Sequence, residues 1–139
     1  MFSRITRNEL IRMMNAVFFT PMLYALVAWV LSRHPLHVDS DLNMLTVICL
    51  AVSIGLIILA RPLRWLLLPP GKHPSGKIVV ACFVLSTIGE IIAMCGVAVV
   101  WLGARLESYI PFLIVSGLYY LDFRVFRFPA IMALWPDEK

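Results

Sequence analysis

The longest apolar run of this chain, residues 78–104, carries one carboxylate near its middle, Glu90, in the segment STIGEIIAMCGVA. A carboxylate taken to the centre of a bilayer costs about 3 kcal/mol on insertion scales. Such a group is expected to face other protein, to hold a proton or to have a partner. A carboxyl out of water favours its neutral form, so one reading is a proton-binding group. The other is a polar contact that joins two helices. Ser53, Ser86, Thr87, Ser116 and Tyr119 are the hydroxyls that could donate to it. Gly89, Ala93 and Gly96 follow at spacings of four and three. That puts small residues on one helix face, where a second helix can come close. Val99, nearer the far end, is expected on a different face.

Three other groupings carry weaker signals. His34, His37, Asp39 and Asp41 in HPLHVDSD are residue types that bind metals. Pro35, between the two histidines, works against the helix that would bring both rings to one face, so a polar loop without metal is the expectation. GKHPSGKI comes near the phosphate-binding pattern G-x-x-x-x-G-K-[ST], but Ile78 stands where the metal-binding hydroxyl belongs, and no strand is expected before it. Lys72, His73 and Lys77 are better suited to lipid phosphates. Arg61 with Arg64, and Arg124 with Arg127, close two apolar runs. They read as topology anchors, with an anionic lipid headgroup or a partner's acidic surface as the alternative. Asp122 is expected to pair with Arg124. No nucleophile stands beside a base and no histidine lies within a span, so no catalytic residue, cofactor, haem or metal is expected.

The elements that must hold these groups follow from composition. The 139 residues are 61% hydrophobic and 14% charged, with a mean hydropathy of +0.90. A soluble domain is about a quarter charged, and a core of this size cannot hide so much apolar surface. The expected fold is all-α: an integral membrane four-helix bundle in a single transmembrane domain, residues 1–139, with spans near 13–31, 42–60, 78–104 and 109–121. Each of the first three approaches or exceeds the roughly 20 residues that cross the hydrocarbon. Ahead of span one, a short amphipathic surface helix would turn Phe2, Ile5, Leu10 and Ile11 to lipid. Pro21 should kink span one. A signal peptide competes for this segment, but the apolar core is long for one. Arg61, Pro62 and Arg64 should end span two, with Trp65 at headgroup level and WLLLPPGKHPSGK as an interfacial loop. GARLES is a tight connection, span four stops before Asp122, and FPAIMALWPDEK is interfacial. Cys49, Cys82 and Cys95 fall in apolar runs and read as small buried hydrophobes.

Four spans put both termini on one side of the membrane. Arg4, Arg7, Arg12, Arg61, Arg64, Lys72, Lys77, Arg124, Arg127 and Lys139 then share that side, and only Arg33 and Arg105 of the twelve basic residues lie opposite. The positive-inside rule makes both termini cytoplasmic, in a plasma or inner membrane. The net charge of +4 thus marks span ends rather than a nucleic-acid surface. GLIILARPLR and GLYYLDFRVFR end spans two and four alike, and AWVLS and VWLGA close spans one and three. Two tandem hairpins would explain this; so would the arginines that any inward-ending helix acquires.

The pattern E-x-x-A-x-x-G, carried by Glu90, Ala93 and Gly96, resembles the carboxylate-bearing helix of vacuolar-type ATPase proteolipids, the two-hairpin subunits of rotor rings. The resemblance implies a protonatable Glu90 facing lipid or a neighbouring helix. This chain differs in carrying the carboxylate on the first helix of its hairpin and in having only seven glycines. The residues together point to a non-catalytic subunit or accessory factor that packs with other membrane subunits, or with copies of itself, in the lipid bilayer. The alternative is proton or ion translocation through Glu90.

Overall fold

The computed structural model describes residues 5–37, 41–71 and 73–136. Phe2, Arg4, Asp39, Lys72 and Lys139 therefore lie outside the described residues. The helices are α1 (Arg7–Val17), α2 (Thr20–Leu31), α3 (Leu42–Leu67), α4 (Ser75–Trp101), α5 (Ile110–Asp122) and α6 (Phe128–Met132). A 3-10 turn, Leu106–Tyr109, leads into α5, and a π-helical segment, Phe123–Arg127, joins α5 to α6. These pieces make four rods, each long and apolar enough to cross a membrane: Arg7–Leu31, Leu42–Leu67, Ser75–Trp101 and Leu106–Met132. The protein is an all-α, multi-pass membrane four-helix bundle.

The first rod starts at a capping box. Glu9 N–H donates to Thr6 Oγ1 at 3.3 Å, and Thr6 N–H donates to Glu9 Oε2 at 2.7 Å, which satisfies two of the free amides at a helix start. Leu10 and Met14 are buried. The segment expected to lie on the membrane surface is thus the first turns of a rod that packs inward, and Leu10, with no exposed surface, faces protein rather than lipid. Pro21 has no N–H to give. The rod breaks just before it, where the amides of Phe18 and Phe19 bond back three residues, to Asn15 O and Ala16 O.

The second rod is capped by Asp41, whose Oδ1 accepts from the amides of Asn43 and Met44 at 3.1 Å each. It does not end at Arg61 and Pro62 but continues to Leu67. A proline forfeits one helical bond. Here Leu63 and Leu67 pack against the core and Leu68 is buried, which holds the helix together past it. Six of the thirteen residues of the expected interfacial loop, 65–67 and 75–77, are therefore helix.

The third rod, α4, is the centre of the bundle. In its most apolar stretch 56% of residues are buried, against 6% for α3. It packs on α2, α3 and α5, while α5 also touches α2 and α3. In section the bundle is a rhombus with α4 and α5 on the short diagonal and α2 and α3 at the far corners.

The fourth rod runs on past Asp122 to Met132. Phe123, Phe128, Ile131 and Met132 are buried, so part of the tail that reads as interfacial belongs to the core. Thr6, Arg7 and Asn8 share a cleft with Met132, Trp135 and Pro136. Both ends of the described chain thus lie at one end of the bundle. At the other, Leu36 N–H donates to Trp101 O at 2.9 Å, and Arg105 lines a cleft with Ser32, Pro35 and Gly103.

Candidate functional site

Glu90 stands sixteenth of the 27 residues of α4. At 1.5 Å per residue it is about 22 Å along the axis from the start of the helix and about 16 Å from its end. It is half-buried, on the flank of α4 that turns toward α2 and α5. Its carboxylate lies within electrostatic reach of two phenols, Tyr24 of α2 and Tyr120 of α5.

The hydroxyls expected to donate to Glu90 do not. Each gives its proton to a backbone carbonyl: Ser86 and Thr87 to Phe83 O at 2.9 and 2.8 Å, Ser53 to Cys49 O at 2.8 Å, Ser116 to Leu113 O at 3.2 Å, and Tyr119 to Leu85 O at 2.5 Å. A serine or threonine in a helix has the carbonyl three or four residues back within reach at all times, and that local acceptor takes the hydroxyl. Among the described residues nothing hydrogen-bonds or ion-pairs with Glu90.

Gly89, Ala93 and Gly96 are all buried on α4. The two glycines receive aromatic rings from the fourth rod. A Cβ on Gly89 would fall 2.7 Å from the Tyr120 ring and 3.1 Å from that of Tyr119; on Gly96 it would fall 2.7 Å from Phe112 Cβ and 2.7 Å from the Tyr109 ring. The hydroxyls of those tyrosines reach main-chain carbonyls on neighbouring rods: Tyr120 to Ser86 O at 3.3 Å and Tyr109 to Pro21 O at 3.4 Å, both long contacts. Glycine is the residue that allows such an approach. Val99 is buried too, 1% exposed, so it does not lie on an outward face.

A second constellation lies at the end of the bundle that holds the termini. Arg61, Arg64 and Trp65 of α3 face Asp122, Phe126 and Arg127 of the fourth rod across a cleft of about 380 Å³. Asp122 pairs with Arg127, not with Arg124: Arg127 Nε donates to Asp122 Oδ2 at 2.6 Å. Residues five apart point about 140° away from each other on an α-helix. The wider π-helical turn brings them to one side, and its i+5 bond is present from Phe128 N–H to Phe123 O. Arg127 lies against the Tyr119 ring, with Cζ 5.4 Å from the centroid. Its Nη1 is buried and, among the described residues, has no hydrogen-bond partner. Arg124 sits apart, over the Phe128 ring at 5.8 Å. Of the four arginines singled out in the sequence, the structure brings three together. Reading the helix at 3.6 residues per turn hides this pairing, and only an acid and a base five apart hint at it.

The remaining candidates separate. His34 and His37 are exposed in the first connection, with Asp41 occupied as a helix cap, and among the described residues no group of three or more His, Cys, Asp or Glu comes together. His73 Nε2 lies 2.6 Å from Pro69 O, while Gly76 and Lys77 are already in the first turn of α4. Comparison with known proteins finds no match: no family model, no curated protein and no solved structure matches the chain.

Proposed function

We propose that this protein is a non-catalytic subunit or accessory factor of a larger membrane assembly, with both termini on the cytoplasmic side. The observation that carries this reading is an open seam on the central helix. Val80, Val84, Thr87, Ile91, Met94, Ala98 and Trp101 are all exposed, spaced alternately four and three along α4. They lie on the side away from α5, between the two outer rods. A 3.5-residue repeat is the spacing by which one helix seats against another, and α4 uses its other three sides for packing already. The short connections between rods leave no room for a soluble domain. Seven of the nine basic residues among the described residues fall on the side of the termini, which supports the orientation.

A photo-crosslinking residue placed at Ile91 or Met94, in the native membrane, tests this. It should give a defined protein adduct, a second copy or a partner, while the same residue at Ile58, exposed on α3, should give lipid adducts only. Lipid adducts at all three positions, with a monomeric particle after gentle extraction, would exclude the assembly role.

The second reading is proton or ion translocation through Glu90, in the manner of the proteolipid helices it resembles. The absence of a partner for this carboxylate among the described residues supports it.

A further inference from the structure

We infer that the cleft between α3 and the π-helical segment holds the phosphate of an anionic phospholipid, with one acyl chain lying in the groove beside it. Three guanidinium groups, Arg61, Arg64 and Arg127, line this cleft against a single carboxylate, Asp122. Among the described residues Asp122 is already committed to Arg127, and Arg61 and Arg64 have no ion-pair partner. The side chain of Arg127 is nine-tenths buried, and among the described residues its Nη1 has no acceptor. A buried cationic donor left unpaired is costly. Its planar fork, like those of its neighbours, matches the oxygens of a phosphate. A π-helical turn inside a helix is itself a feature that recurs at functional sites.

Depth and continuity choose a lipid over a soluble phosphate. Arg61 lies nineteen residues beyond Leu42 on α3, about 28 Å along the axis, which is the thickness of the hydrocarbon core. The cleft therefore opens at headgroup level. Trp65, 61% exposed beside Arg64, is the residue type that settles at that level. A second hollow of about 390 Å³ shares Arg61, Asp122 and Arg127 with the cleft and continues between α3 and α5 along Ile57, Ile58 and Leu118. A charged cleft opening into an apolar furrow has the shape of a headgroup joined to a chain. This site is independent of the seam on α4, and neither depends on the other.

The test is native mass spectrometry of the full chain in neutral detergent, titrated separately with phosphatidic acid, phosphatidylcholine and glycerol 3-phosphate. Phosphatidic acid should bind at least tenfold more tightly than phosphatidylcholine. The double variant Arg61→Gln, Arg64→Gln should lose tenfold or more of that affinity; among the described residues neither side chain has an ion-pair partner, and an unchanged helical circular dichroism spectrum checks that the bundle stands. Leu118→Trp, which fills the furrow, should weaken phosphatidic acid severalfold. Binding of glycerol 3-phosphate as tight as that of phosphatidic acid, untouched by Leu118→Trp, would replace the lipid with a soluble phosphate. Equal binding of the two lipids, or full binding by the double variant, would overturn the site.

Discussion

Gly96 of α4 stands so close to Phe112 of α5 that a Cβ built on it falls 2.7 Å from the Phe112 Cβ. A Cβ is fixed to its backbone and cannot rotate away, so any added methyl must push the two rods apart. Gly96→Ala should destabilise the protein by about 1–3 kcal/mol, the usual cost of overpacking. Gly55, on α3, has nothing within 4 Å of the same built atom. Gly55→Ala should be neutral or stabilising by up to about 1 kcal/mol, because alanine loses less backbone freedom in a helix. Thermal unfolding of the two variants in one detergent compares them directly. Equal midpoints would mean that the rods adjust freely at this contact.

Ala93 lies between the two glycines and has no exposed surface, while Ala98, five residues on, is exposed. The same substitution therefore probes two sides of one helix. Ala93→Leu should cost about 1–3 kcal/mol by overpacking, and Ala98→Leu should stay within about 0.5 kcal/mol, as outward-facing changes do. Denaturant midpoints of the extracted protein measure both. Val99 is no substitute for Ala98 in this comparison, because it is buried. Small, equal effects would place the glycine–alanine face against lipid.

Glu90 sits in the middle third of α4 without a donor among the described residues, so it should react with a hydrophobic carbodiimide in intact membranes. Glu90→Gln should abolish the labelling. It should also leave the fold as stable as the parent, since no hydrogen bond or ion pair to this carboxylate is lost. Labelling that persists in Glu90→Gln would assign the reaction to another carboxyl, such as Asp122. An ion-dependent phenotype fully supported by Glu90→Gln would exclude translocation through this residue.

How far these sites can be read from the residues depends on the kind of force that builds each. Glu90 is conspicuous in sequence because a charge in an apolar run violates composition at one position. Its surroundings are not conspicuous. Tyr24 and Tyr120 come from rods one and four, and nothing in the spacing of either ties them to position 90. The five hydroxyls expected at Glu90 are taken by carbonyls a turn away or on the facing helix, an outcome set by which acceptor is nearest. The basic cleft divides the same way. Its arginines are visible as span ends, but the pairing of Asp122 with Arg127 needs the π-helical turn.

The sequence by itself determined that the chain is an all-α membrane bundle of four rods, because length and apolarity act residue by residue and leave their mark in order along the chain. It also located the glycines and the arginines. Only the tertiary structure decided that α4 is the hub, that α3 and the fourth rod run past Pro62 and Asp122, and which arginines share a cleft. In a bilayer the lipid-facing and protein-facing sides of a helix are equally apolar, so hydropathy carries no period that says which side is which. That choice is made by fit: rings of Tyr109, Phe112, Tyr119 and Tyr120 in the hollows left by Gly89 and Gly96, and a guanidinium that five residues of wider helix bring back onto its carboxylate.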